Sequence, residues 1–137
     1  DEVKEMFDWF KSKKEKTEKE ITEKTKESLT SPEELRELIK TDLQKIESTE
    51  NEVELAKLYE QVGIHYSELN LPDEAIEHLE KSQGYQPSMG EGYKKLMMLY
   101  NAKRAEAAKN RDDAGIDYYM NKLDDMRNLA KKLTLSR

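Results

Sequence analysis

A glycine in the interior of one helical pattern, Gly63, and an alanine in the interior of the next, Ala75, limit what residues 50–87 can become. Glycine costs a helix roughly 1 kcal/mol relative to alanine, so its presence among good helix formers points to a packing requirement. Two antiparallel helices approach closely only where a small side chain on one leaves room for a larger one on the other. Gly63 and Ala75 supply that room, Tyr59, Tyr66 and Leu79 supply the bulk, and Pro87 closes the unit. The spacing predicts a tightly packed helical hairpin.

Helix punctuation is regular from residue 31 onward. Ser31-Pro32-Glu33-Glu34, Thr49-Glu50-Asn51-Glu52 and Ser88-Met89-Gly90-Glu91 each follow the pattern in which a hydroxyl and a glutamate reciprocally satisfy free amides at a helix start. Two further starts are expected at Asn70-Leu71-Pro72-Asp73, where Asn70 ends one helix and Pro72 begins the next, and at Asn110-Arg111-Asp112-Asp113. Five helices follow, near 32–47, 50–69, 72–84, 89–109 and 112–133. Their apolar stripes recur at three and four: Leu35, Leu38, Ile39, Leu43 and Ile46 in the first, and Leu55, Tyr59, Val62, Tyr66 and Leu69 in the second. The fourth carries Tyr93, Leu96, Met97 and Tyr100, and the last runs from Ile116 through Tyr119, Leu123, Met126, Leu129 and Ala130 to Leu133. Short connections make neighbouring helices antiparallel.

A shift of about 34 residues carries Tyr59, Val62, Gly63 and Tyr66 onto Tyr93, Leu96, Met97 and Tyr100. With Ala56 as the first position, Tyr59, Val62, Gly63, Tyr66, Ala75, Leu79, Ser82 and Pro87 occupy the large, small, aromatic and terminating positions of the tetratricopeptide repeat, and the stretch resembles that family. The resemblance implies an all-α chain of antiparallel helical hairpins stacked as a short right-handed solenoid. It gives a capping helix at 32–47, a repeat at 50–87 and an atypical repeat at 88–133. The second repeat is atypical because Met97 replaces the glycine and because Asp112-Asp113-Ala114 falls 39 residues, not 34, after Asp73-Glu74-Ala75. Two repeats and a cap fall below the usual three, so the stack is expected either to be marginally stable or to extend itself as a homodimer, for which methionines 97, 98, 120 and 126 give adaptable packing.

Composition agrees with helix and narrows the function classes. Of 137 residues 39% are charged and 35% hydrophobic, with three prolines, and no run of alternating β-branched residues suggests a strand. The net charge of −6 repels phosphate backbones, so no nucleic-acid partner is expected. No cysteine is present, which excludes disulfides, thiolate metal sites and cysteine catalysis and suits a reducing compartment. No stretch approaches the ~20 apolar residues of a membrane span, and the expected setting is a bacterial-type cytoplasm.

Nothing in the sequence carries a catalytic or metal-binding pattern. His65 and His78 lie on successive helices without metal-ligand spacing, and adjacent acids such as Asp112-Asp113 and Asp124-Asp125 diverge by about 100° on a helix. The expectation is a non-enzyme without cofactor or metal. In tetratricopeptide arrays the first helix of each unit lines a concave face. Carried over by position, the resemblance implies a peptide-binding groove of Lys57, Glu60, Ile64, Ser67 and Glu68 with Glu91, Lys94, Met98, Asn101 and Ala102. Ile64 and Met98 would be its apolar anchors, for a protein or peptide partner, unless they serve to bury a neighbouring helix. Relatives that grip a C-terminal carboxylate use Lys and Asn where this chain has Glu60 and Ile64, so that clamp is not implied.

Residues 1–30 differ in kind and are read as a charged arm, a frayed helix or a flexible tether. Met6, Phe7, Trp9 and Phe10 precede Lys11, Lys13, Lys14 and Lys16, and the tract that follows has only Ile21 and Leu29 as aliphatics. The opening resembles the short amphipathic starts of some bacterial membrane-associated proteins. Three uses stand open: contact with an anionic membrane surface, docking onto the same or a neighbouring solenoid, and none. The alternative function is accordingly a membrane-peripheral or self-assembling structural protein.

Overall fold

Helix forms over each segment whose apolar residues recur at three and four. The computed structural model describes residues 30–136. Its elements are α1 (Pro32–Glu47), α2 (Glu52–Glu68), α3 (Pro72–Tyr85), α4 (Glu91–Lys109) and α5 (Asp113–Leu135), with no strand among the described residues. Each helix packs on the next, and α2 also touches α4.

The helix ends show how local chemistry sets the boundaries. Asn70 takes a left-handed φ of 61° after α2, while Leu71 N–H donates to the Tyr66 carbonyl and Asn70 N–H to that of Ser67, both at 3.0 Å. These two bonds satisfy carbonyls that the last turn leaves free, and Pro72 then opens α3 where its missing N–H is not needed. The same closure ends α4, with Arg111 at φ 55° and the Asp112 N–H on the Ala107 carbonyl at 2.8 Å. Asp112 also starts α5, accepting from the Gly115 N–H at 3.0 Å.

Two starts differ from the capping pattern. Asn51, not Thr49, caps α2, its Oδ1 accepting from the Glu54 N–H at 3.1 Å, while the Thr49 hydroxyl turns back to the Lys45 carbonyl. The α4 cap is Gly90 without a side-chain bond, and the Ser88 N–H instead binds Gln83 Oε1 at 3.1 Å. In both cases the cap lies two residues after the hydroxyl-bearing residue.

Close packing of α2 on α3 rests on the small residues. Gly63 lies against Leu79 so tightly that a Cβ built there would stand 2.6 Å from Leu79 Cγ and 3.1 Å from its backbone nitrogen. Ala75 is fully buried, and the buried Ser82 hydroxyl donates to the Ala56 carbonyl at 2.7 Å. From there the core continues through Leu79, Leu96, Tyr100, Leu123 and Met126, with Ile64, Ile76, Tyr93, Met97, Leu99 and Tyr119 packed around it. Burying each such leucine contributes about 1.5–3 kcal/mol. Tyr93 ties α4 to α5 by donating to the Met126 carbonyl at 2.9 Å.

The outer helices bury narrower stripes than their spacing predicts. On α1, Leu35, Ile39 and Asp42 are buried whereas Leu38 is 44% exposed. On α5 only Leu123 and Met126 are buried, while Ile116, Tyr119, Leu129, Ala130 and Leu133 are half-buried. Among the described residues the backbone of each of these helices lies close to one neighbour only, and a single partner covers a smaller arc than the two or three that surround α2, α3 and α4. No helix among the described residues is long and apolar enough to cross a membrane.

Candidate binding face

The α2–α4 contact determines how the residues of the implied groove are arranged. Gly92 is buried, and a Cβ there would meet Glu60 Oε2 at 2.6 Å and Glu60 Cγ at 2.8 Å. The start of α4 therefore rests directly on the Glu60 side chain, which is half-buried together with Ser67. Lys57 and Glu68 on α2, and Glu91, Lys94, Asn101 and Ala102 on α4, are exposed.

The two apolar anchors differ. Ile64 is half-buried and packs against the cluster of Leu79, Leu96, Tyr100, Leu123 and Met126. Met98 is 63% exposed and stands on the side of α4 away from the buried Leu96 and Tyr100. Val53, 45% exposed, is a further apolar residue of this face. It lies one turn before Lys57 on the same helical face, and its place in the pattern Val53, Lys57, Glu60, Ile64 was the available sequence signal. Lys57, Glu91 and Lys94 form no ion pair among the described residues.

Other polar groups hold helices together. Tyr100, 3% exposed, donates from its hydroxyl to Glu80 Oε2 at 2.6 Å, and Lys122 Nζ lies 3.4 Å from the same oxygen. Burial, and then the bond to the carboxylate, push the Tyr100 phenol far above its ordinary range. Burial opposes the Lys122 charge, but Glu80 outweighs it and holds the ammonium above its usual value. Lys103 is raised too, chiefly by its hydrogen bond to Asp73 at 2.7 Å, which joins α4 to the first turn of α3.

The histidines have separate surroundings. His78 Nδ1–H donates to the Glu74 carbonyl at 2.7 Å with its ring between Tyr59 and Tyr66, while His65 Nδ1 is buried with no hydrogen-bond partner among the described residues. Among the described residues no three His, Cys, Asp or Glu side chains are grouped to hold a metal. Met6, Phe7, Trp9, Phe10, Lys11, Lys13 and Lys14 lie outside the described residues. Comparison with protein-family models, curated proteins and solved structures found no match.

Proposed function

We propose that the helical domain is a short tetratricopeptide-like right-handed solenoid and works as a non-catalytic protein–protein interaction module, an adaptor in a cytoplasmic setting. It holds an extended or helical segment of a partner polypeptide on the face formed by α2 and α4. The observation that carries this reading is Met98: a large apolar side chain, 63% exposed, one helical turn after Lys94, which forms no ion pair among the described residues. Exposed apolar residues within a mixed-charge surface are the anchors of helix or strand recognition. The Gly63–Leu79 contact, the Ser82–Ala56 bond and the additional α2–α4 packing support the repeat-like stacking on which the face depends.

The test combines capture with position. Affinity capture from native lysate is run with the full chain and with Lys94→Glu/Met98→Ala, whose thermal midpoint should match that of the parent because both side chains are exposed. A partner lost from the double variant, and crosslinked by a photoreactive residue at position 98 but not at position 120, supports the assignment. Unchanged capture by the double variant would rule the face out.

A further inference from the structure

The opposite side of α2 carries a second surface. At about 100° per residue, Tyr59 and Tyr66 point roughly half a turn away from Lys57 and Glu68. Among the described residues α1 and α3 both pack on α2 but not on each other. The rings there form an unbroken row. Tyr85 stacks on Tyr59 with centroids 5.6 Å apart and planes within 12°, Tyr59 lies 6.0 Å from His78, and His78 lies 5.0 Å from Tyr66.

At Tyr66 this row meets a trough of about 380 Å³ floored by Ile39, Leu43, Leu69 and Leu71. Leu71 and Tyr85 are 37% and 40% exposed. The charge around it runs against that of the whole chain. Arg36 and Lys40 stand on the rim, exposed and with no ion pair among the described residues, and Glu47 is the lone carboxylate of the lining. At the far end of the ring row, outside the trough lining, Lys81 sits 5.6 Å from the Tyr59 ring centre and is ion-paired with Glu77 at 3.8 Å. On a protein of net charge −6, a trough whose lining carries two cations, Arg36 and Lys40, against one carboxylate, Glu47, is a local inversion of sign.

We propose that this trough and ring row bind an acidic segment with aromatic or large aliphatic anchors, supplied by a protein partner. The anchors lie on the apolar floor and along the tyrosine row, where rigid rings bury area at little cost in rotamer freedom. Carboxylates of the segment pair with Arg36, in the two-pronged geometry a guanidinium favours, and with Lys40. This site is separate from the α2–α4 face and takes the opposite charge pattern, a net-acidic ligand in place of one matched to mixed charges.

The probe is a fluorescent decapeptide with the sequence of residues 1–10, which carries four carboxylates, one lysine and the side chains Met6, Phe7, Trp9 and Phe10. Its control has the four acids replaced by their amides. Anisotropy titration into the full chain should give a Kd of about 10–100 µM, a modest affinity of the kind a few anchors provide. Arg36→Glu/Lys40→Glu should weaken it tenfold or more, the amide peptide should bind as poorly, and Lys94→Glu/Met98→Ala should leave it unchanged. Binding only to a full chain carrying Trp9→Ser/Phe10→Ser overturns the partner assignment, since the occupant would then come from the chain itself. Absence of binding to either protein overturns it, as does equal affinity for the charge-reversed variant or for the amide peptide.

Discussion

At the scale of single residues, two glycines that look alike in sequence have different reasons to be there. A Cβ at position 63 would meet both the side chain of Leu79 and, at 3.1 Å, its backbone nitrogen, which has no rotamer to retreat into. Gly63→Ala gains roughly 1 kcal/mol of helix propensity and loses about 1–3 kcal/mol to overpacking, so a net loss of stability is expected. At position 92 the obstacle is the end of the Glu60 side chain, which can swing toward solvent. Gly92→Ala should therefore be neutral or mildly stabilising, whereas Gly63→Ala lowers the urea midpoint. If Gly63→Ala were the more stable of the two, α2 and α3 would not be held at the distance the Leu79 contact requires. The 34-residue shift places Met97 where the first hairpin has Gly63, and Met97 packs half-buried against the α4–α5 core. A longer α5, Asp113–Leu135, accompanies that bulk.

At the scale of elements, the helices were legible because each carries a stripe at three and four, and because Asn70 and Pro72 have backbone preferences that need no tertiary context. Cap positions were not, since Thr49 and Asn51 are both good caps two residues apart, and the choice falls to Asn51 once Thr49 can bond back to Lys45. The width of each buried stripe was equally hidden: Leu38 satisfies the α1 spacing, yet only the arrangement of neighbours decides that it stays 44% exposed. For the same reason the spacing grouped Ile64 with Met98, although the core formed by α3, α4 and α5 reaches Ile64 and not Met98. The turn after α4 gives a clean test of local strain, because Arg111 holds a left-handed φ of 55°, a conformation that disfavours a Cβ by about 1–2 kcal/mol. Arg111→Gly removes that penalty while leaving the Asp112–Ala107 backbone bond in place, and should raise stability by about 1 kcal/mol less the entropy of a freer unfolded chain. A melting temperature unchanged or lowered by Arg111→Gly would mean that the arginine side chain contributes a contact worth more than the strain.

At the scale of the whole molecule, neighbouring helices pack pairwise, but α3 and α5 do not pack backbone to backbone, and Glu80 joins them. Its carboxylate takes the Tyr100 hydroxyl from α4 and the Lys122 ammonium from α5, so three helices meet at one oxygen. The arrangement couples the stability of the array to alkaline pH. Tyr100 is raised above the ordinary phenol value of 10.0 by burial and by Glu80, so the folded chain keeps its proton where the unfolded chain releases it. The stabilising contribution is complete below pH 10 and falls as pH rises above it, because the folded state then binds more protons than the unfolded one. Lys122 and Lys103, both raised from 10.5, add losses of the same sign at higher pH. Tyr100→Phe keeps the ring and deletes the titrating group. It should cost about 1.5–3 kcal/mol at pH 8, as expected for a hydrogen bond to a charged acceptor, and should flatten the decline above pH 10. Urea midpoints measured from pH 8 to pH 11 for the two proteins should therefore converge as pH rises. If the curves stay parallel, the alkaline loss belongs to the lysines, and the Tyr100–Glu80 bond does not link the three helices in solution.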